Sequence, residues 1–327
     1  MSVKLIHKSL VAASLFLFAG ISWAQTYPSK PIRVIIPFVA AVLDALGRVI
    51  DTGFRESTGQ PLLLESRPGA SSIIGMEACA KAAPDGYTIC MTNSDSLSYN
   101  PARYSDLPYN AETDFVPIIN LGWTNGSLVA NARTPFNTYK EMIASAKAKP
   151  GTLNFGTWGP GSMPDLYFLW MKHQTGVDIA AIAYKGGAPA YTAVIAGEVD
   201  MTYMGIGNAL QQIKAGKVKP LVVYGNKRSS LLPNTPSLEE EGGDPALRSY
   251  FGAFAPAKTP KAIVDRLNAE LAKAIRMPRA QELYHNYTIE FEDNTPEAYA
   301  AFLKTDREIT TKVFRRIGIK PVAAPSS

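Results

Sequence analysis

The chain has 327 residues, 46% of them hydrophobic, with 33 Lys and Arg against 28 Asp and Glu and a formal charge of +5. That balance is too mild and too dispersed for a nucleic-acid partner, although it suits an anionic ligand. There are no repeats or low-complexity stretches, and two cysteines in all exclude a paired C-x-x-C metal site.

In chain order, Lys4, His7 and Lys8 open onto an apolar run from Leu10 to Ile21 and then Ser22-Trp23-Ala24. A basic start, an apolar stretch of about 12 residues and a small-x-small site read as a signal peptide over 1–24, since a membrane span needs about 18 or more. The loss of Lys4 and Lys8 leaves 31 basic against 28 acidic residues, a net of +3. A mature chain of this length exceeds what one core supports, so two lobes with a cleft between them are expected.

Ile32 to Pro37 is a β-branched run, and Leu46, Val49, Ile50 and Phe54 recur at helical spacing within 44–57. The alternation continues with a strand at 62–65, a helix at 73–82 and a strand at 87–91, entered through Pro84-Asp85-Gly86. A strand follows at 115–122. Then come helix 139–147, strand 153–156, helix 163–174, strand 179–184, helix 188–196, strand 199–204, helix 209–215 and strand 220–224. The remainder gives a strand at 250–255 and helices at 261–276 and 296–315, with a Pro- and Ala-rich tail from Pro321 expected to fray. This order predicts two α/β lobes with mainly parallel sheets around a ligand cleft. Residues 25–124 and 226–327 form lobe 1, and residues 125–225 form lobe 2. Cys79 and Cys90 flank a helix-to-strand turn; they pair in an oxidising compartment or stay as two small buried apolar groups.

Catalytic signatures are missing. His173 and His285 fall on helices, no G-x-S-x-G elbow or phosphate-binding loop occurs, and Gly205 and Gly207 lack the third glycine of a dinucleotide fingerprint. An enzyme would need a poised titratable group, and Asp44, Asp95 and Lys185 have no evident partner. No cofactor or metal is expected.

The stretch Gly156-Thr157-Trp158-Gly159-Pro160-Gly161-Ser162 turns a strand into a helix, with Ser162 and Asp165 in capping-box spacing and Pro164 in the first turn. Backbone N–H groups at such a start, helped by the Thr157 and Ser162 hydroxyls, suit a carboxylate; an ordinary capped helix has the same sequence. Loops at 38–44, 93–100 and 184–187 also leave strand ends, where α/β sheets bind ligands. The candidate ligand-binding residues are therefore Phe38, Val39, Ala40, Ala41, Asp44, Ser94, Ser96, Tyr99, Thr157, Trp158, Gly159, Gly161, Ser162, Tyr184, Lys185, Gly205 and Asn208. Tyr99, Trp123 and Trp158 lean the ligand toward an aromatic mono- or dicarboxylate, with a second carboxylate near 93–99 or 205–208.

Tyr27-Pro28-Ser29-Lys30-Pro31-Ile32-Arg33, Glu65-Ser66-Arg67-Pro68-Gly69, Ala83-Pro84-Asp85-Gly86-Tyr87, Leu107-Pro108-Tyr109, Tyr184-Lys185-Gly186-Gly187 and Gly318-Ile319-Lys320-Pro321 occur in this order. As an ordered set they resemble the Bug family of tripartite tricarboxylate transporter receptors over essentially the whole mature chain. The resemblance implies a type II periplasmic binding protein fold that closes on a small organic carboxylate and delivers it to a membrane permease. It also implies that the loop after the first strand and the loop before Met163 grip one carboxylate. A monomeric periplasmic receptor is expected, with a sensor subunit that signals to a membrane partner as the alternative. One departure stands out: the family's glycine pair in the first loop is replaced by Phe38-Val39-Ala40-Ala41-Val42-Leu43, so the backbone approaches a carboxylate differently there, or the pocket is more apolar, or the chain is a non-binding paralogue.

Overall fold

The computed structural model describes residues 27–38, 41–245 and 247–325. The signal-peptide expectation, and Val39 and Ala40 of the first loop, lie outside them. Two sheets organise the chain. The first runs β11-β4-β10-β3-β1-β2, from β1 (Ile32–Ile36), β2 (Leu62–Ser66), β3 (Thr88–Asn93), β4 (Phe115–Thr124), β10 (Ser249–Pro256) and β11 (Ile289–Glu290). The second runs β7-β6-β8-β5-β9, from β5 (Gly126–Asn131), β6 (Asn154–Thr157), β7 (Ala180–Ala183), β8 (Met201–Gly205) and β9 (Val218–Val223).

Two α/β lobes result, as the alternation predicts, but the sheets are mixed rather than mainly parallel. In the first sheet β1 pairs parallel with β2 and β3, while β10 is antiparallel to β3 and β4. In the second, β6 is parallel to β7 and β8, and β5 is antiparallel to β8 and β9. Chain traffic explains this. Strand β4 carries the chain out of the first sheet and β10 brings it back; β5 and β9 do the same in the second. Neighbouring outbound and inbound strands must run opposite ways.

Helix α1 (Ala41–Thr58) shows how sequence becomes packing. Leu43, Leu46, Ile50 and Phe54 share one face and are fully buried against β1 and its neighbours. Each such side chain contributes about 1.5–3 kcal/mol. The helix ends where Thr58 Oγ1 donates to the Phe54 carbonyl and Gly59 takes φ 73°. Helix α2 (Ile73–Ala80) carries Cys79, joined by a disulfide to Cys90 of β3. Two short turns then follow β3 directly: a π-helical turn over Asp95–Tyr99 and α3 (Asn100–Arg103).

In the second lobe α4 (Tyr139–Ala148), α5 (Met163–Thr175), α6 (Gly187–Ala196) and α7 (Ile206–Lys214) cover the sheet. Back in the first lobe lie α8 (Lys261–Ile275), α9 (Pro278–Tyr287) and α10 (Pro296–Arg316). The lobes share packing: Tyr99, Val313 and Phe314 join the cluster of Leu166, Tyr167 and Trp170 on α5. The tail does not fray through Pro325. Val322 bridges Tyr104, its N–H donates to the Arg103 carbonyl (2.9 Å) and its carbonyl accepts from Ser105 N (3.0 Å). Ala324 N donates to Asp106 Oδ1 (2.7 Å). Composition suggests a loose end; two backbone bonds and the Asp106 carboxylate beside α3 hold it.

Candidate functional site

The loops proposed from sequence leave β1, β3, β6, β7 and β8 at their carboxyl ends, and two of them meet across the lobes. In the second lobe β6 ends at buried Thr157, and the chain turns through Gly159 (φ 106°) and Gly161 (φ 75°) into α5. A side chain at Gly161 would be strained by φ and would also collide with the Arg103 guanidinium, whose Nη1 lies 1.1 Å from where a Cβ would stand. Arg103 belongs to α3 of the first lobe, so this contact spans the cleft.

The capping box does not form. Ser162 Oγ donates to the Gly159 carbonyl (2.7 Å) and makes no cap, while Asp165 Oδ2 reaches past Ser162 to accept from Gly161 N (2.6 Å). Ser162 N already donates to the Gly159 carbonyl (3.2 Å), which leaves Gly161 N as the donor for Asp165. The outcome matters for chemistry, because no side chain caps the first-turn N–H groups of α5, at the positive end of a 13-residue helix. Burial raises the Asp165 carboxyl above its usual range, against the lowering effect of its Gly161 bond and the nearby Arg103 charge.

Trp158 lies beside this turn, its ring edge-on to Tyr191 and Tyr203 at centroid distances of 6.0 and 5.8 Å. Gly187 gives it room, since a Cβ there would meet the indole at 3.3 Å. The indole Nε1 is buried without an acceptor. Tyr184 is tied in by its N–H to the Thr157 carbonyl (2.9 Å), and Lys185 is exposed. Gly205 N donates a long bond to the Tyr191 hydroxyl (3.4 Å), and Asn208 is exposed on α7. Gly207, next to it, packs against the backbone of Asn286 on α9, a second contact between the lobes.

In the first lobe, Phe38 is half-buried against the core and Ala41 begins α1. Asp44 is half-exposed and paired with Arg48 (2.9 Å), one helical turn on, so it is not a free cleft carboxylate. Ser94 is buried. The Ser96 hydroxyl accepts from Thr92 Oγ1 (2.7 Å) and its carbonyl accepts from Tyr109 (2.7 Å), which commits Ser96 to the local fold. Tyr99 is 1% exposed, donates to the Arg248 carbonyl (2.9 Å) and packs near Phe314; ring and hydroxyl both serve the core rather than a ligand face. Trp123 is also elsewhere. It lies under the Arg248 guanidinium (3.8 Å) and edge-on to Phe302, lining a cavity of about 250 Å³ between the two crossovers with Tyr167, Tyr224 and Lys227.

Sequence reasoning missed Arg103 and underrated Asp95. Asp95 opens the π turn, accepts from Asn93 Nδ2 (3.1 Å), and burial pushes its carboxyl up to about 6 against that bond. Among the described residues no cluster of His, Cys, Asp and Glu suits a metal, and no helix is long and apolar enough to cross a membrane.

Two α/β lobes joined by two crossovers, with an uncapped helix start facing the other lobe, define a two-lobed solute-binding protein. The model of the tripartite tricarboxylate transporter family receptor matches residues 46–319, and the chain belongs to that family. It is 31% identical over 316 residues to a UPF0065 protein of Bordetella pertussis, covering 96% of this chain and 98% of the relative. Among solved structures it is similar to the periplasmic binding protein BugD (29% identity, TM-score 0.79, 90% of this chain and 100% of that one). An R. palustris protein solved with adipate is also similar (27%, TM-score 0.80, 90% and 100%). These are binding proteins, not enzymes, and this chain stands with them.

Proposed function

We propose that this protein is a periplasmic receptor that captures a small organic carboxylate between its lobes and delivers it to the permease of a tripartite tricarboxylate transporter. In this reading residues 1–24 are a cleaved signal peptide, 25–124 with 226–327 form one lobe, 125–225 form the other, and the receptor acts as a monomer. The observation that carries it is the turn from Thr157 to Ser162, which leaves the first-turn N–H groups of α5 without a side-chain cap at the carboxyl end of β6. A carboxylate completes those donors, and the helix dipole favours its charge.

Thr157, Trp158, Gly159, Gly161, Ser162 and Tyr184 form the second-lobe wall in this proposal, and Phe38, Ala41, Ser94 and Asp95 the first-lobe wall. The structural neighbour bound to adipate supports an aliphatic dicarboxylate. With Tyr99 and Trp123 used in packing, Trp158 is the aromatic ring beside the turn, and it keeps aromatic acids in contention.

The test is thermal unfolding of residues 25–327 against aliphatic and aromatic carboxylates, because a ligand of the folded state raises the midpoint. The proposal expects a saturable shift with one class of acid and none with the matching alcohols. A folded protein that no acid shifts contradicts it.

A further inference from the structure

We infer that Arg103 is the charged group with which the first lobe binds the ligand's carboxylate and tells an acid from its uncharged analogue. The inference rests on the receptor reading above and deepens it.

Three observations carry it. First, the Arg103 guanidinium stands directly over Gly161, on the turn that leads into the uncapped start of α5, so it occupies the lip of the proposed anion site from the opposite lobe. Second, it is unpaired. Its Nε is buried with no acceptor, and among the described residues no carboxylate forms an ion pair with it. A guanidinium is charged at any working pH and carries five donors suited to a carboxylate, so burying part of it without a partner is costly unless another group supplies the acceptor. Third, its backbone is held. Tyr104 N donates to the Asn100 carbonyl (2.9 Å), Asn100 Nδ2 donates to the Ser71 carbonyl (2.8 Å), and the Arg103 carbonyl accepts from Val322 of the C-terminal tail (2.9 Å). The guanidinium also lies 5.5 Å from the Tyr104 ring centroid. A long side chain on so fixed a base gives up less freedom when a ligand arrives.

The nearest rival for the guanidinium is Asp165. That carboxylate accepts from Gly161 N and feels Arg103 as a nearby charge without forming an ion pair with it. If Arg103 served only to latch the lobes through Asp165 and Gly161, its loss would weaken every ligand alike. If it binds the carboxylate, its loss weakens acids selectively.

The experiment measures dissociation constants for adipate and adipamide, succinate and succinamide, and benzoate and benzamide. The proteins are wild type, Arg103→Gln and Arg103→Lys, each checked for an unchanged midpoint without ligand. Wild type is expected to prefer an acid over its amide. Arg103→Gln is expected to lose acid affinity on the order of 30-fold while its amide affinity stays near wild type, and Arg103→Lys to keep part of the preference. Raising salt should weaken acid binding in wild type more than in Arg103→Gln. Unchanged acid affinity in Arg103→Gln, or equal losses for acid and amide, overturns the assignment of Arg103 and leaves the receptor reading standing. Wild type that binds none of the acids overturns both.

Discussion

The two walls of the proposed site are built from different materials. The second lobe offers backbone: two glycines at positive φ, a helix start without a side-chain cap, and hydroxyls turned inward to hold the turn. The first lobe offers side chains: Arg103, Asp95 and buried Ser94 on the turns after β3, beside an α1 that starts at Ala41 with no glycine before it. A backbone wall recognises shape and tolerates little change, because its geometry is fixed by torsion angles. A side-chain wall carries specificity through charge and can be altered one residue at a time.

Replacing Gly161 strikes both walls at once and should have the largest effect. Gly161→Val forces a β-branched residue to φ 75° and displaces Arg103. The strain alone costs about 1–3 kcal/mol, so acid affinity should fall by tenfold or more, as read by calorimetric titration. A variant that binds normally would mean that the lobes do not meet at this turn in the bound state.

Asp306 comes next. It lies on α10, 2% exposed, and burial pushes its carboxyl up to about 6, against the lowering effects of Ser98, Arg248 and Arg307. A raised carboxyl binds more protons folded than unfolded between its usual range and about 6. Stability is therefore lost as pH rises through that window, and the loss is complete above it. Asp306→Asn removes the penalty. It should raise the midpoint at pH 7, by about 1–3 kcal/mol in stability, and leave little change at pH 3.5. A lower midpoint at pH 7 would show that the charged form makes a contact worth more than its burial costs.

Asp165→Ala should cost more affinity than Ser162→Ala, because Asp165 holds the Gly161 N–H (2.6 Å) while the Ser162 hydroxyl only tethers the Gly159 carbonyl. Loss of a neutral bond such as that of Ser162 is worth about 1 kcal/mol, and loss of one to a charged carboxylate about 1.5–3 kcal/mol. If the two variants rank the other way, the capping box forms when ligand binds. Removal of residues 321–327 should have the smallest effect: it frees the Arg103 carbonyl and should lower acid affinity a fewfold with little change in the midpoint.

Much of this architecture was legible in the sequence because burial periodicity wrote it. The helix through Leu46, Ile50 and Phe54 and the β-branched first strand follow from spacing alone. Strand β5 was hidden because Asn125-Gly126-Ser127 reads as a turn, yet those residues cross between sheets and are held by pairing to β8 and β9. Helix α9 was hidden by its polar face, with Ala280 and Tyr284 its buried residues. In the site, the glycine turn before α5 announced itself, since positive φ leaves a glycine signature. Arg103 did not. Asn100-Pro101-Ala102-Arg103 looks like a loop, and only the short π turn after β3 and the returning tail aim it at Gly161. Tyr99 misled for the converse reason, because an aromatic at a strand end fits a ligand wall or a core equally well.

The most direct test of the account is a crystal structure of the protein grown with the acid that raises its unfolding midpoint most. The account predicts a carboxylate between the Gly159–Ser162 turn and the Arg103 guanidinium, with the lobes closed around it. An acid bound instead in the cavity beside Trp123 and Arg248, with the Gly161 turn empty, would contradict it.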